Sequence, residues 1–195
     1  MRRHNRDHTN IKRSLAALTG AVTMLLALGA PQVSAAPQGF TAQARAAGLT
    51  SAEATALQAK VDRYLTKTGG TQISPNTIDL GNESTLRVTV PGEKHPRNLP
   101  GTRTASNPHC HSYGASSGYF CAYSGTNFTG DAIDMHTCSV HYGMPWSSTG
   151  SWDNHQRHAR IARAMSGNTV IWTTDPARSK GYTEYWRPVD FIKLC

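Results

Sequence analysis

The sequence predicts a mainly β protein, with a Greek-key sandwich over residues 110–195 preceded by a small helix plus β-hairpin segment. In the C-terminal part, glycines recur between short aromatic or β-branched runs, and helical periodicity is absent. Upstream, apolar residues recur once at helical spacing, and two short strand-like runs follow. We therefore expect four regions, at residues 1–35, 36–92, 93–109 and 110–195.

The first region has the parts of a secretory signal peptide. A basic stretch precedes an apolar run from Leu15 to Leu28, and Val33-Ser34-Ala35 offers small residues to a signal peptidase. The run has about 14 residues, whereas roughly 20 are needed to span a bilayer. We expect cleavage after Ala35, secretion, and no membrane attachment of the mature chain.

Removal of this region changes what the net charge implies. Residues 1–35 hold five basic residues and Asp7, a net charge of +4, which is half of the formal +8 of the chain. Residues 36–109 carry a net +3 and residues 110–195 a net +1. Nucleic-acid binders concentrate basic residues on one face or helix, and this sequence does not. We therefore expect no nucleic-acid partner.

The segment at residues 36–92 begins with a helix signal. Thr50 and Glu53 have the T-x-x-E spacing of a capping box, and Gly69-Gly70 ends the apolar pattern. The apolar residues that recur at helical spacing are Ala54, Leu57, Val61, Tyr64 and Leu65. One helix is therefore expected between the capping box and the glycine pair.

Two strand-like runs, 77–80 and 85–90, follow the helix around a turn at Gly81-Asn82. This helix plus hairpin is small for an independent fold, so a pro-segment, a docking module and a cover for the next domain remain open. Residues 93–109 read as an exposed linker, open to proteolytic nicking, because four prolines of residues 91–109 and two glycines disfavour a packed element.

All four cysteines lie in the last region, at Cys110, Cys121, Cys138 and Cys195. An even number in an exported chain indicates two disulfides. Of the three possible pairings we favour Cys110–Cys121 with Cys138–Cys195. The first closes a hairpin-sized loop, and the second ties the last residue back to the domain.

Tyr123, Phe128 and Gly130 form the pattern Y-x-x-x-x-F-x-G after a strand-like run. Such a pattern is typical of a folded β-hairpin, where two aromatic rings stack across the turn and the glycine takes a backbone conformation that other residues resist. It resembles the Greek-key signature of βγ-crystallin domains. Together with the cysteines, residues 150–156 and the run 186–189, it resembles secreted bacterial proteins related to the SMPI-type metalloproteinase inhibitors.

This resemblance covers residues 110–195 and implies a βγ-crystallin-like sandwich that presents a rigid loop to a peptidase. The zinc of such a complex would belong to the peptidase. Residues 139–151 are rich in exposed-looking side chains, so His141, Met144 and Trp146 are our candidate contact loop. The alternative is that Trp146 and Trp152 simply fill the core.

Two candidate cation sites are disfavoured. Asp153-Asn154 begins the calcium pattern of microbial βγ-crystallins, but Arg157-His158 replaces its hydroxyl pair, and a hard cation needs oxygen ligands. His109-Cys110-His111 and His136-Thr137-Cys138 have the short spacing of zinc ligands, but no C-x-x-C element accompanies them. We expect neither a metal nor another cofactor.

Residues 114–118 match G-x-S-x-G, but a nucleophile elbow needs a strand before it and a helix after it. No paired carboxylates or phosphate loop suggest another enzyme class. We expect no enzyme.

The resemblance leads us to expect a monomeric secreted inhibitor of an extracellular metallopeptidase. One alternative is a module that binds cell-wall or surface polymer through exposed Trp and Tyr. Another is a small secreted toxin or signalling protein with residues 36–109 as a removable pro-region.

Overall fold

The computed structural model describes residues 39–100 and 108–195, which belong to one compact unit. Two helices precede a series of antiparallel strands, so the predicted mainly β class with a leading helix is confirmed. The predicted signal peptide and residues 101–107 of the linker lie outside the described residues. Within the described ranges, none of the helices is long and apolar enough to cross a membrane.

The helices are α1 (Phe40–Ala46) and α2 (Ser51–Thr68). The strands are β1 (Thr71–Ser74), β2 (Thr77–Gly81), β3 (Ser84–Arg87), β4 (Cys110–His111), β5 (Gly114–Ala115), β6 (Phe120–Tyr123), β7 (Ala132–Met135), β8 (His141–Gly143), β9 (Thr149–Asn154), β10 (Ala162–Ser166), β11 (Thr169–Thr173), β12 (Ser179–Tyr185) and β13 (Phe191–Leu194).

The strands form two main sheets and one small hairpin. The first sheet has seven strands in the order β1-β2-β3-β7-β6-β9-β12, the second has the order β11-β10-β13-β8, and β4 pairs with β5. Neighbours that are distant in the chain, such as β6 and β9, are typical of Greek-key connections. Strands β1 to β3 come from the segment ahead of residue 93, so that segment extends the first sheet.

Helix α2 begins and ends where the sequence predicts. The Thr50 side chain accepts a hydrogen bond from the Glu53 N–H (3.2 Å), and the Glu53 carboxylate accepts one from the Thr50 N–H (2.8 Å). The hydrogen bonds that the Thr50 N–H and hydroxyl donate to the Glu53 carboxylate lower its pKa below the usual value. At the other end, Gly69 takes a positive φ of 67°, which costs glycine little. The helix turns Leu57 and Val61 into the core, where both are fully buried.

Tryptophan rings fill the space between the two main sheets. Trp152 on β9 lies 6.0 Å from Trp172 on β11, measured between ring centroids. Trp186 lies 5.7 Å from Trp172 and 6.3 Å from Trp146. Trp146, Trp152 and Trp186 are all buried, so Trp146 and Trp152 fill the core, as the alternative interpretation of the sequence held.

The linker contacts the fold at several points. Leu99 is fully buried, and the Arg97 carbonyl accepts a hydrogen bond from Asn76 Nδ2 (2.8 Å). The Lys94 carbonyl accepts one from the Gly130 N–H (2.8 Å). The expectation of a wholly exposed linker is therefore wrong at Leu99, because one apolar side chain between prolines is enough to anchor an irregular segment.

Candidate functional site

The aromatic-glycine motif forms the folded turn between β6 and β7. The rings of Tyr123 and Phe128 lie 5.3 Å apart between centroids and are tilted by 51°. Phe128 has a φ of 61° and Gly130 a φ of 78°, so the chain doubles back through left-handed conformations. A Cβ at Gly130 would overlap the Ser124 side chain, which is the physical reason for a glycine there.

Ser151 on β9 fixes this turn from the neighbouring strand. Its fully buried hydroxyl accepts a hydrogen bond from the Phe128 N–H (2.8 Å) and donates one to the Gly125 carbonyl (2.7 Å). Sequence reasoning missed this residue, because the only signal was a serine next to a tryptophan. One hydroxyl therefore satisfies two backbone groups of a strained turn.

Replacing Ser151 with alanine is expected to lower the free energy of unfolding by about 1–3 kcal/mol, because a buried N–H and a carbonyl lose their partner. Urea denaturation followed by circular dichroism measures this loss. Ser147→Ala removes an exposed hydroxyl and should change the midpoint little. Equal effects of the two substitutions would contradict the assigned role of Ser151.

The β4–β5 hairpin lies beside this turn and presents one large side chain to solvent. Tyr113, at its tip, is 70% exposed, and its ring stacks on that of His111 at 4.8 Å. The disulfide Cys110–Cys121 holds the base, and the Tyr123 hydroxyl donates to the His111 carbonyl (2.9 Å). The motif tyrosine thus connects the folded turn to the hairpin.

Three further polar contacts hold the hairpin backbone. The Asp153 carboxylate accepts a hydrogen bond from the Ala115 N–H (2.8 Å), and a ring nitrogen of His155 lies 2.9 Å from the Ala115 carbonyl. The ammonium of Lys180 donates to the Tyr113 carbonyl (2.9 Å) and lies 3.4 Å from the Asp153 carboxylate. A Cβ at Gly114 would overlap this carboxylate, so the hairpin approaches β9 closely.

The candidate calcium residues therefore have protein partners in the structure. Asp153 contacts the hairpin backbone and Lys180, while Asn154 donates to the Arg160 carbonyl (3.0 Å) and the Thr174 hydroxyl (3.1 Å). Across residues 39–100 and 108–195, no group of three or more His, Cys, Asp or Glu side chains is placed to hold a metal ion.

The histidines next to the cysteines contact aromatic rings. His109 stacks on Tyr119 with centroids 3.7 Å apart, and His136 lies 4.9 Å from the same ring. Burial lowers the pKa of His111, and the nearby His109 and Arg87 lower it further. These side chains therefore form an aromatic wall beside the Cys110–Cys121 loop.

One buried phenol and one buried carboxyl group have raised pKa values for identifiable reasons. Burial raises the pKa of the Tyr123 phenol, and the neighbouring Asp153 adds to the effect, so the phenol remains a hydrogen-bond donor. Burial likewise raises the pKa of Asp134 on β7, although hydrogen bonds from Thr85 act in the opposite direction. The Tyr123 hydroxyl donates a hydrogen bond to the hairpin backbone, whereas Asp134 accepts hydrogen bonds from β3 and so links β7 to that strand.

The two disulfides are Cys110–Cys121 and Cys138–Cys195, the pairing favoured from the sequence. The two disulfides constrain different parts of the chain. The first lies at the base of the exposed hairpin, whereas the second joins the end of the chain to the loop that follows β7. Only the first constrains a segment with a strongly exposed aromatic tip.

The predicted contact loop has mixed surroundings. His141 is exposed and stacks on Phe191 at 4.3 Å, and Met144 is half-buried against the core. Trp146 is only 7% exposed, and its indole N–H donates to the Tyr64 hydroxyl (2.9 Å). A role of these three residues in binding remains a prediction, and for Trp146 it would require the ring to leave the core.

Comparison with known proteins finds a family model that matches part of this region. Residues 111–174 match the model of peptidase inhibitor family I36, a stretch that begins in the β4–β5 hairpin and contains the aromatic-glycine motif and Ser151. No curated protein and no solved structure matches the chain. The matched family consists of peptidase inhibitors, not enzymes, and implies a peptidase partner. The resemblance predicted from the motif is confirmed at residues 111–174, which match the model of peptidase inhibitor family I36, the SMPI family.

Proposed function

We propose that the protein is a secreted, monomeric inhibitor of an extracellular metallopeptidase and that it presents the β4–β5 hairpin to its target. One observation carries the mode of action: Tyr113, within the segment that matches an inhibitor family, is 70% exposed on a backbone held at both ends. A metallopeptidase target and secretion follow the sequence resemblance and the signal-peptide features of residues 1–35.

The rigidity of the hairpin supports this proposal. Association costs the conformational freedom of whatever becomes ordered, so a loop that is already ordered binds more tightly. Here the Cys110–Cys121 disulfide and the Tyr123 hydroxyl hold the chain before Tyr113, and the Asp153 carboxylate holds it after Tyr113, at the Ala115 N–H. An aromatic side chain on such a support has the properties of an interface anchor.

The first experiment measures inhibition of thermolysin-like and subtilisin-like peptidases by the purified mature protein. We expect inhibition of the metallopeptidase, with an inhibition constant at least about tenfold higher for Tyr113→Ala, since anchor side chains contribute on the order of 2 kcal/mol. Tyr185→Ala removes another exposed tyrosine, 48% exposed on β12, and serves as the matched control.

Three results would count against the proposal. Absence of inhibition at micromolar excess would remove the inhibitor function. Inhibition confined to the subtilisin-like peptidase would remove the metallopeptidase target. Inhibition that is unchanged by Tyr113→Ala but weakened by Tyr185→Ala would move the binding surface from the hairpin to β12.

The structure supports the polymer-binding alternative through fewer aromatic side chains than the sequence suggests. Trp146, Trp152 and Trp186 are buried and offer no stacking platform, whereas Tyr113 and Tyr182 are more than half exposed. Stacking on a polymer would therefore depend on tyrosines. This alternative would be favoured if the protein inhibited no peptidase but co-sedimented with insoluble cell wall. The Tyr113→Ala/Tyr182→Ala double variant should then lose the co-sedimentation.

A further inference from the structure

The N-terminal segment, which we define as residues 39–100, contributes β1, β2 and β3 to one end of the first sheet, next to β7. Strand β3 pairs with β7 in antiparallel register, with Leu86 opposite Ile133 and Arg87 opposite Ala132. Strand β7 therefore has a partner on each side, β6 from the C-terminal region and β3 from the N-terminal segment. Without the segment, β7 would become an unpaired edge.

A buried carboxylate of the C-terminal region depends on this segment. Asp131, which follows the folded turn, is 2% exposed. Its carboxylate accepts hydrogen bonds from the Lys60 ammonium (2.6 Å), the Thr89 N–H (2.8 Å) and the Tyr64 hydroxyl. Each of these donors belongs to the N-terminal segment. Because a buried charge without partners is strongly unfavourable, the two parts of the chain are coupled at this point.

A second carboxylate repeats the arrangement at the other end of β7. Asp134 accepts hydrogen bonds from the N–H and the hydroxyl of Thr85, both at 2.6 Å. Its carbonyl accepts one from the Ser84 hydroxyl (2.6 Å). Both residues lie on β3. The carboxylate and the carbonyl of Asp134 therefore both accept hydrogen bonds from the N-terminal segment.

The apolar core is also shared between the two parts. One continuous cluster contains fully buried residues of both. From the N-terminal segment these are Leu57, Val61, Ile78, Leu86, Val88 and Leu99, and from the C-terminal region they include Phe120, Ile133, Met135, Trp186 and Ile192. Removal of the segment would expose the side of the core that it covers.

We infer that the face of the C-terminal region formed by β7, Asp131 and the adjoining core is a permanent binding surface for the N-terminal segment. Cleavage of the connecting residues would then give a two-chain protein held by non-covalent contacts, and would not release a leader. This inference goes beyond the proposed inhibition, and it is incompatible with a removable pro-region over residues 36–109. A protein that encounters peptidases would then keep its fold after cleavage within its Pro-rich linker.

The test starts from the full mature chain, with residues 101–107 replaced by the recognition sequence of a site-specific protease. After complete cleavage, denaturing electrophoresis should show two fragments, while size-exclusion chromatography at micromolar concentration should show one species at the elution volume of the uncut protein. Circular dichroism should be unchanged. Separate elution of two fragments in native buffer, with the C-terminal fragment still folded, would overturn the inference.

Substitution at Asp131 makes the test quantitative. After cleavage, Asp131→Asn should raise the dissociation constant of the fragments at least about tenfold, because the partly buried Lys60 ammonium loses its anion. Arg97→Gln, which removes an exposed ion pair with Glu93, is the control and should leave the constant unchanged. Equal constants for the two variants would overturn the role assigned to Asp131.

A milder substitution guards against failure of Asp131→Asn to fold. Tyr64→Phe removes one hydroxyl of the same network and should raise the dissociation constant about fivefold. No change relative to Arg97→Gln would overturn the coupling. None of these readouts measures inhibition of a peptidase, so their failure is distinguishable from failure of the proposed inhibition.

Discussion

Trp186→Ala is expected to lower the free energy of unfolding by about 3–5 kcal/mol. The side chain is fully buried between the sheets and contacts the rings of Trp146 and Trp172. Its indole N–H donates to the Tyr123 carbonyl (2.8 Å). The substitution therefore opens a cavity, removes contacts of two neighbouring rings and leaves a buried carbonyl unpaired. Domains of this size are stable by about 5–15 kcal/mol, so much of the total would be lost.

Two further substitutions separate these contributions. Trp186→Phe keeps most of the ring contacts but loses the hydrogen bond, so we expect a smaller loss of about 1–3 kcal/mol. Tyr185→Ala changes the adjacent, half-exposed residue and should cost less than about 1 kcal/mol. Urea midpoints measured by far-ultraviolet circular dichroism give all three values. A loss for Trp186→Ala no larger than that for Tyr185→Ala would contradict the central position of this ring.

Gly150, which lies against the Trp186 indole, shows how closely this ring is packed. A Cβ at Gly150 on β9 would overlap both the indole nitrogen of Trp186 and the Tyr123 carbonyl, the two groups that form the hydrogen bond. From the sequence we expect Gly150 to be one of many glycines in turns, but in the structure it lies within strand β9. Its role is a close approach between β9 and a tryptophan, a contact that becomes visible only when the two sheets are packed.

The elements that could be predicted are those with a strong local signal. The capping box and glycine stop of α2, and the strand-like runs 77–80 and 85–90 that became β2 and β3, lie in the structure close to their predicted positions. Strands β9 and β12 were missed, because Thr149–Asn154 and Ser179–Tyr185 are rich in Gly, Ser and charged residues. Their conformation comes from pairing with each other and, for β9, from pairing with β6, which no local pattern encodes.

The residues of the candidate site also divide into those that could be recognised from the sequence and those that could not. Tyr123, Phe128 and Gly130 were recognisable because a left-handed turn between aromatic rings restricts residue type in a fixed spacing. Ser151 and Asp131 were not, because each acts on a distant part of the chain. Asp131 in particular reads as an ordinary charged residue after a turn, and its role appears only when Lys60 and Tyr64 of α2 lie beside it. Long-range partners of this kind leave no periodic trace in a sequence.

The two disulfides are expected to have different consequences when removed, and Cys138–Cys195 should matter more for stability. It closes the longer loop, with a sequence separation of 57 residues against 11 for Cys110–Cys121. Loop-closure entropy gives about 4 kcal/mol for the longer loop and about 3 kcal/mol for the shorter one. The longer link also holds the end of β13, which pairs with both β10 and β8 in the second sheet.

We therefore expect Cys138→Ser/Cys195→Ser to lose about 4 kcal/mol of unfolding free energy while leaving the inhibition constant unchanged at temperatures where the variant is folded. Cys110→Ser/Cys121→Ser should lose less stability but weaken inhibition, because its bond lies at the base of the hairpin that carries Tyr113. Equilibrium denaturation and inhibition assays on the same samples distinguish the two effects. If both pairs changed inhibition equally, the hairpin would not be the presented loop, since Cys138 and Cys195 lie outside it.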